Sequence, residues 1–374
     1  MIYRSLQTQI EQKLGDGKAI ILYGSRQVGK TTLIQAISKN SNREVVFYNG
    51  DEPDDRQELT NVSSTQLRNL IGENKLFIID EAQRITNIGI TLKLIVDQLK
   101  DIQVIATGSS AFELANEINE PLTGRKWEFQ VFPLSMQEMA SHTSQREEKR
   151  LLNHRLIYGY YPEIVTHPAE EEELLKVLAN SLLYKDILSL DNINKPVALE
   201  KLVQALAFQI GSEVSISELA KLANIDFHTV ERYLDLLKKA FIIFELTSLS
   251  RNLRNEIKKN KKIYFFDNGI RNAIIRQFKS IELRNDVGAL WENYLLSERM
   301  KRNQHQKLDC NRYFWRTHAQ QEIDYIEEYN GNISAFEFKF NPKKQSKMPT
   351  SFQKAYQPIL FKTINSENYL DFVL

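Results

Sequence analysis

The decapeptide Tyr23-Gly24-Ser25-Arg26-Gln27-Val28-Gly29-Lys30-Thr31-Thr32 narrows the folds open to this chain more than any other stretch. It fits the phosphate-cradling pattern G-x4-G-K-T at every defined position. That pattern works only between a buried strand and a helix, and both flanks qualify. Ala19 to Tyr23 is a short apolar run suited to a parallel strand, and Thr32 to Ser38 carries Leu33, Ile34 and Ile37 on one helical face. The glycines let backbone N–H groups wrap a polyphosphate at the positive end of that helix. The expected nucleotide contacts are Gly24, Ser25, Arg26, Gln27, Val28, Gly29, Lys30, Thr31 and Thr32. Lys30 is expected to reach the β- and γ-phosphates of ATP, and the Thr31 hydroxyl to hold Mg²⁺. The bland alternative is a glycine turn that happens to precede a helix. Strand, spacing and helix in register argue against it.

A phosphate loop needs an acidic partner. Leu76-Phe77-Ile78-Ile79 is a buried-strand run that ends in Asp80-Glu81, about fifty residues after the loop. Asp80 is expected in the Mg²⁺ shell, with Glu81 polarising the attacking water. Val45 to Tyr48 and Gln103 to Ala106 read as further strands, the latter ending in Thr107-Gly108-Ser109-Ser110. Thr107 or Ser109 can sense the γ-phosphate from there; the alternative is an N-cap for a helix from Ala111 to Asn116. Trp127 to Phe132 is a last strand. Arg125, just before it, either stabilises the transition state in a neighbouring subunit or is a surface cation.

The chain has 374 residues, enough for two or three domains, and its 49 basic residues nearly cancel 48 acidic ones. Any nucleic-acid partner must therefore be met by a local patch. The single cysteine, Cys310, excludes an intrachain disulfide and suits a reducing cytosol. No signal core or membrane-length apolar run is visible, so a cytoplasmic location without membrane contact is expected.

The segments LYGSRQVGKTTL, LFIIDEAQRI, IATGSSAFEL and GRKWEFQVFPLSMQEM together resemble the AAA-type ATPases of archaea and bacteria that carry an uncharacterised C-terminal domain. The resemblance continues through GYYPEIV, FFDNGIR, GALWENYLLSE, EIDYIEE and FEFK, and so covers nearly the whole chain. It implies a P-loop core, an arginine supplied in trans, and a homo-oligomer such as a hexameric ring. No arginine in the following segment clearly matches the usual second sensor.

The expected fold is α/β, in four parts: a P-loop AAA-type parallel sheet over 1–140, a helical lid over 141–200, a winged helix-turn-helix over 201–250 and a nuclease-like α/β domain over 251–374. The winged helix rests on a Ser215-capped helix, a turn at Asn224-Ile225-Asp226, a helix from Phe227 to Lys239 and a strand from Ala240 to Leu246. Such a helix can read a DNA groove with His228, Thr229, Glu231 and Arg232, or merely pack; Glu231 and Asp235 favour packing. The run Arg251, Arg254, Lys258, Lys259, Lys261 and Lys262 reads as a solvated loop that also suits phosphate contact.

Near the C-terminus, two alternating runs flank Asn330-Gly331, a favoured hairpin turn. If Tyr329 pairs with Asn332, Asp324 falls directly across from Glu337 with Cβ atoms ~5 Å apart. Ile323 and Tyr325 then belong to the other face, with Phe336, Phe338 and Phe340. A divalent metal between the carboxylates would relieve their repulsion, Lys339 could orient a water and Glu292 could complete the shell. Alternatively, Lys339 pairs with Glu322. Asp, then Glu-x-Lys, with an upstream helical Glu resembles the core of PD-(D/E)xK nucleases. The combined expectation is a Mg²⁺-dependent ATPase working on DNA, branched DNA among its candidates. The rival is a nucleotide switch that binds a protein partner without DNA chemistry.

Overall fold

The computed structural model describes residues 1–109, 118, 120–183, 195–250, 261–317 and 319–374. The helix expected from Ala111 and the basic positions Arg251, Arg254, Lys258 and Lys259 lie outside them. The described chain forms two compact units. The first is built on Met1–Pro133; the second begins at Leu134 and takes in the rest apart from Leu182, Leu183 and Lys239–Phe241, which belong with the first.

The first unit is a five-stranded parallel sheet in the order β2-β3-β4-β1-β5. Its strands are β1 (Ala19–Tyr23), β2 (Val45–Asn49), β3 (Leu76–Asp80), β4 (Gln103–Gly108) and β5 (Lys126–Gln130). β1, β3 and β4 are buried along their whole length, as central strands covered on both faces must be. Ile21, Phe77, Ile79 and Ala106 share one core with Ile88, Leu92 and Ile95 of the helix Ile88–Gln98. Each fully buried Ile or Phe contributes roughly 1.5–3 kcal/mol, so an Ile79→Ala cavity would erase a large part of a typical stability margin. The topology brings the C-terminal ends of β1, β3 and β4 together, where open parallel sheets bind ligands.

The second unit carries a seven-stranded mixed sheet, β12-β11-β10-β9-β7-β8-β6. Its strands are β6 (Glu213–Val214), β7 (Ile243–Ser248), β8 (Lys261–Phe265), β9 (Asn311–Arg316), β10 (Glu322–Tyr329), β11 (Asn332–Phe338) and β12 (Leu360–Ile364). This corrects the expected boundary at 250/251. β7 and β8 pair antiparallel across it, and β7 pairs in parallel with β9, so the two expected C-terminal modules share one sheet. The expected lid is also not a separate body. Its helix Leu152–Tyr158 packs on the helix Asn268–Ile274, where Asp267 accepts the Tyr160 N–H at 2.7 Å and Asn272 reaches the Ile157 carbonyl at 2.7 Å.

The helices Ile216–Ala223 and Phe227–Lys239 form as expected, the first capped by Ser215. Preceded by the helix Pro196–Phe208 and β6, and followed by β7 and β8, they complete the order helix-strand-helix-helix-strand-strand. The long helix Val287–His305 backs the sheet. Asn293 receives the Phe265 N–H and donates to its carbonyl, tying helix to β8.

The Asn330-Gly331 turn has positive φ at both residues, and the pairs run from Tyr329↔Asn332 to Tyr325↔Phe336, the expected register. One face differs. β10 takes three steps from Ile323 to Ile326 while its partner β9 takes two, from Trp315 to Tyr313. The extra residue is a bulge, which turns Ile323 to the side of Ile326, Ala335 and Phe352 instead of that of Tyr325. Tyr325, Phe336 and Phe338 meet Phe372 as a separate aromatic group. Among the described residues no helix is long and apolar enough to cross a membrane.

Candidate nucleotide site and a second carboxylate cluster

The phosphate loop leaves β1 and enters the helix Lys30–Asn40 through Gly29, whose φ of 92° suits glycine. The first-turn N–H groups of that helix have no helical acceptor and face the loop's concavity. Lys30 is buried, its ammonium donating to the Gly24 carbonyl at 2.9 Å and the Ser25 carbonyl at 3.1 Å. It therefore lies across the loop, at the place a phosphate group would share with it.

The Thr31 hydroxyl donates to Asp80 Oδ2 at 2.7 Å, and the Thr107 hydroxyl donates to Asp80 Oδ1. Adjoining hydroxyl and carboxylate oxygens beside a lysine are the hard donor set that Mg²⁺ takes in such sites, so the residues fit the ion. Thr107 is fully buried and also receives the Glu81 N–H at 3.2 Å. It therefore fixes the end of β3. Ser109, the other residue that the sequence leaves open as a sensor, receives the Gln83 side-chain amide at 3.0 Å. The same amide donates to Glu81 Oε2 at 2.6 Å. Gln83 was missed in the sequence, where it is one polar residue in a short helical turn. Only its adjacency to Asp80-Glu81 could have flagged it.

Arg125 lies at the other end of the sheet. Its carbonyl accepts the Ala19 N–H, the length of β1, ~13 Å, from the loop, and its guanidinium pairs with Asp97 at 2.7 Å. It is no part of its own chain's phosphate site.

In the second unit, Asp324 and Glu337 lie close on neighbouring strands. Lys339 stands 2.9 Å from Glu337 and 3.7 Å from Asp324. Asp324 accepts the Phe338 N–H at 2.8 Å. Glu322 does not pair with Lys339. It meets Lys262 at 2.6 Å, and Lys262 in turn meets Glu292 at 3.3 Å. Tyr264 donates to Glu292 at 2.5 Å. Four carboxylates thus face two ammonium groups. Burial pushes Glu292 up to about 7, Asp324 follows for the same reason, and Glu337 is raised by burial and by Asp324. Burial alone would lower Lys262; Glu292 and Glu322 outweigh it and hold the amine above its usual value. The carboxylates around Lys262 favour its charged form, whereas Glu292 is raised first by burial and only then by Asp324. Among the described residues no three His, Cys, Asp or Glu side chains converge as a metal shell. Lys339, expected beside Asp324 and Glu337, lies against both, and Lys262 lies against Glu292, so ammonium groups balance the carboxylates expected to share an ion.

Lys262 itself departs from expectation. It is a buried member of β8, not a solvated phosphate contact, and its neighbour Lys261 pairs with Glu245.

Residues 16–140 match the family model of an AAA domain. The chain carries an AAA-type P-loop ATPase domain. Beyond the AAA-type domain, residues 149–281 and 287–367 match two domains of unknown function, DUF8612 and DUF4143. The first of these spans β6, β7 and β8, again across the expected boundary at 250/251. An uncharacterised protein of Mycobacterium tuberculosis is 26% identical over 341 residues, covering 90% of this chain and 73% of its own length. One of Methanocaldococcus jannaschii is 24% identical over 322 residues, covering 73% of this chain and 66% of that protein. A solved Walker-type ATPase of Pyrococcus abyssi superposes with a TM-score of 0.52 at 14% identity, over 74% of this chain and 96% of that one. At that identity the likeness speaks for the fold alone, the one on which the AAA-type domain is built.

Proposed function

We propose that this chain is a Mg²⁺-dependent ATP hydrolase that couples turnover to work on DNA. The observation that carries the hydrolytic part is the 2.7 Å contact between Thr31 and Asp80, with Lys30 across the loop and Glu81 beside them. Thr31 and Asp80 would hold Mg²⁺, which when bound would offset the charge that develops on the phosphates. Lys30 leaves the loop carbonyls for the β/γ-phosphates. Glu81 takes the proton of the attacking water. Arg125, at the far end of the sheet, acts on the nucleotide of a neighbouring subunit in a homo-oligomeric ring. Glu81→Gln tests this part: the variant should bind ATP and stall, and wild-type turnover by it would remove Glu81 as the base.

The DNA part rests on the helix-strand-helix-helix-strand-strand order, that of a winged helix, and on the basic residues Arg251, Arg254, Lys258 and Lys259 that the sequence places between its last two strands. Branched DNA is the substrate favoured by the nuclease-like reading of Asp324, Glu337 and Lys339. A second reading, a nucleotide-driven switch for a protein partner, is favoured by Glu231 and Asp235 on the exposed face of the helix Phe227–Lys239, and by the pairing of Lys261 and Lys262 with acids. Binding to linear and four-way DNA at two salt concentrations separates the two. Affinity that falls steeply with salt supports DNA; no affinity, or salt-indifferent affinity, supports the switch. A cytosolic location accords with the lone Cys310.

A further inference from the structure

Gln83 lies outside the phosphate loop, yet two side chains of the hydrolysis site meet on it. Its amide nitrogen donates to Glu81 Oε2 at 2.6 Å and to Ser109 Oγ at 3.0 Å. Its amide oxygen is buried and has no hydrogen-bond partner among the described residues. Glu81 has little freedom of its own. Its backbone sits in the left-handed region at φ 48°, and its N–H bonds to Asp80 Oδ1 and Thr107 Oγ1, each at 3.2 Å. Gly50 presses on it from the adjacent strand end, where a Cβ would come within 2.2 Å of the Glu81 carbonyl oxygen. With its main chain so held, the Glu81 carboxylate is aimed by its side-chain torsions, and Gln83 anchors one of its two oxygens.

The chemistry suits a general base. A neutral amide donor orients a carboxylate without the strong loss of basicity that a lysine or arginine partner would cause. Oε1 of Glu81 is left to take a proton. Because Ser109 accepts from Gln83, its own hydroxyl proton can point elsewhere, and a phosphate oxygen is an acceptor. A buried amide oxygen without a donor is costly, and a water placed for attack has two O–H groups to give. We propose that Gln83 is a positioning residue of this site: it anchors Glu81 through its nitrogen, accepts the second O–H of the attacking water on its oxygen, and links both to Ser109.

This inference rests on the hydrolytic reading and deepens it. The test uses the full chain with Gln83→Leu, Gln83→Glu and Ser109→Ala, each checked by thermal melting. ATP turnover is followed under saturating ATP, and affinity is measured with ADP as the probe. Gln83→Leu should lower kcat by about tenfold to a hundredfold while ADP affinity stays within about twofold. Gln83→Glu, which sets a second carboxylate against Glu81 in place of a donor, should lower kcat at least as far with the same small effect on ADP affinity. Ser109→Ala should lower kcat less than Gln83→Leu. A wild-type kcat in both Gln83 variants, or a loss confined to ADP affinity, would overturn the proposal. If the wild type binds ADP yet hydrolyses nothing, the hydrolytic reading falls and takes this one with it; if only the variants match wild type, this one falls alone.

Discussion

At the scale of single residues, Asp80 is the pivot. Both of its oxygens are engaged by hydroxyls, from Thr31 and Thr107, so a metal entering there meets a carboxylate that is already aimed. Removing the Thr31 hydroxyl leaves the loop and Lys30 in place. Thr31→Ala should therefore shift the Mg²⁺ dependence of turnover to concentrations about tenfold higher, with metal-free ADP binding little changed; equal Mg²⁺ curves for variant and wild type would contradict a ligand role. That Lys30, Thr31 and Asp80 come together was legible because they stand in contiguous motifs at a fixed spacing. The contacts of Gln83 were not, and Thr107, named only as one of two sensor candidates, could not be seen to hold Asp80, since these contacts arise only where β3 and β4 end side by side. Lys262 was misread for a related reason. A lysine among lysines looks solvated, and only strand pairing shows that Glu292 and Glu322 enclose it.

At the scale of elements, the hairpin of β10 and β11 shows what alternation can and cannot give. The turn residues fixed the register through Tyr325↔Phe336, but a one-residue bulge against β9 moved Ile323 to the other face. Nothing local announces that bulge; it depends on how β9 fits. The hairpin is clipped to the helix Val287–His305 by Arg299, whose guanidinium meets Glu327 on β10 at 2.7 and 2.9 Å with both side chains largely buried. Burial would raise Glu327, but Arg299, Asn303 and Tyr325 hold it below the usual carboxylate value. A carboxylate lowered on folding adds stability above its unfolded value of about 4.3, and that contribution is lost as pH falls through the folded value. Arg299→Leu should cost about 3–5 kcal/mol at pH 7, since it strands a buried charge. The gap to wild type should narrow in acid, as followed by urea denaturation at several pH values; a gap independent of pH would rule out Glu327 as its source.

At the scale of the whole molecule, four expected parts became two compact units because the sheet of the second is assembled from strands far apart in sequence. The first unit was readable nearly to its edge, since a parallel sheet built from successive strand–helix steps keeps neighbours near in sequence. Two predictions belong to this scale. If Arg125 acts across a subunit boundary, Arg125→Ala and Lys30→Ala chains should each be inactive alone yet regain part of the turnover when mixed; an inert mixture would leave Arg125 with Asp97 as its sole task. If the C-terminal carboxylates handle a nucleic-acid backbone, Asp324→Ala should abolish Mg²⁺-dependent nicking of DNA while sparing ATP turnover. Undiminished nicking by the variant, or none by wild type, would leave that corner a lysine-balanced structural cluster.

The parallel contact of β9 along β7 also bears on how this protein can be dissected. Amputating everything from Val287 onward would strip β7 of its neighbour on one side and bare that edge's amides and carbonyls to any passing strand. Such a stump would clump rather than report on cargo, so sorting out which part of the protein grips its load falls to point changes in the intact chain.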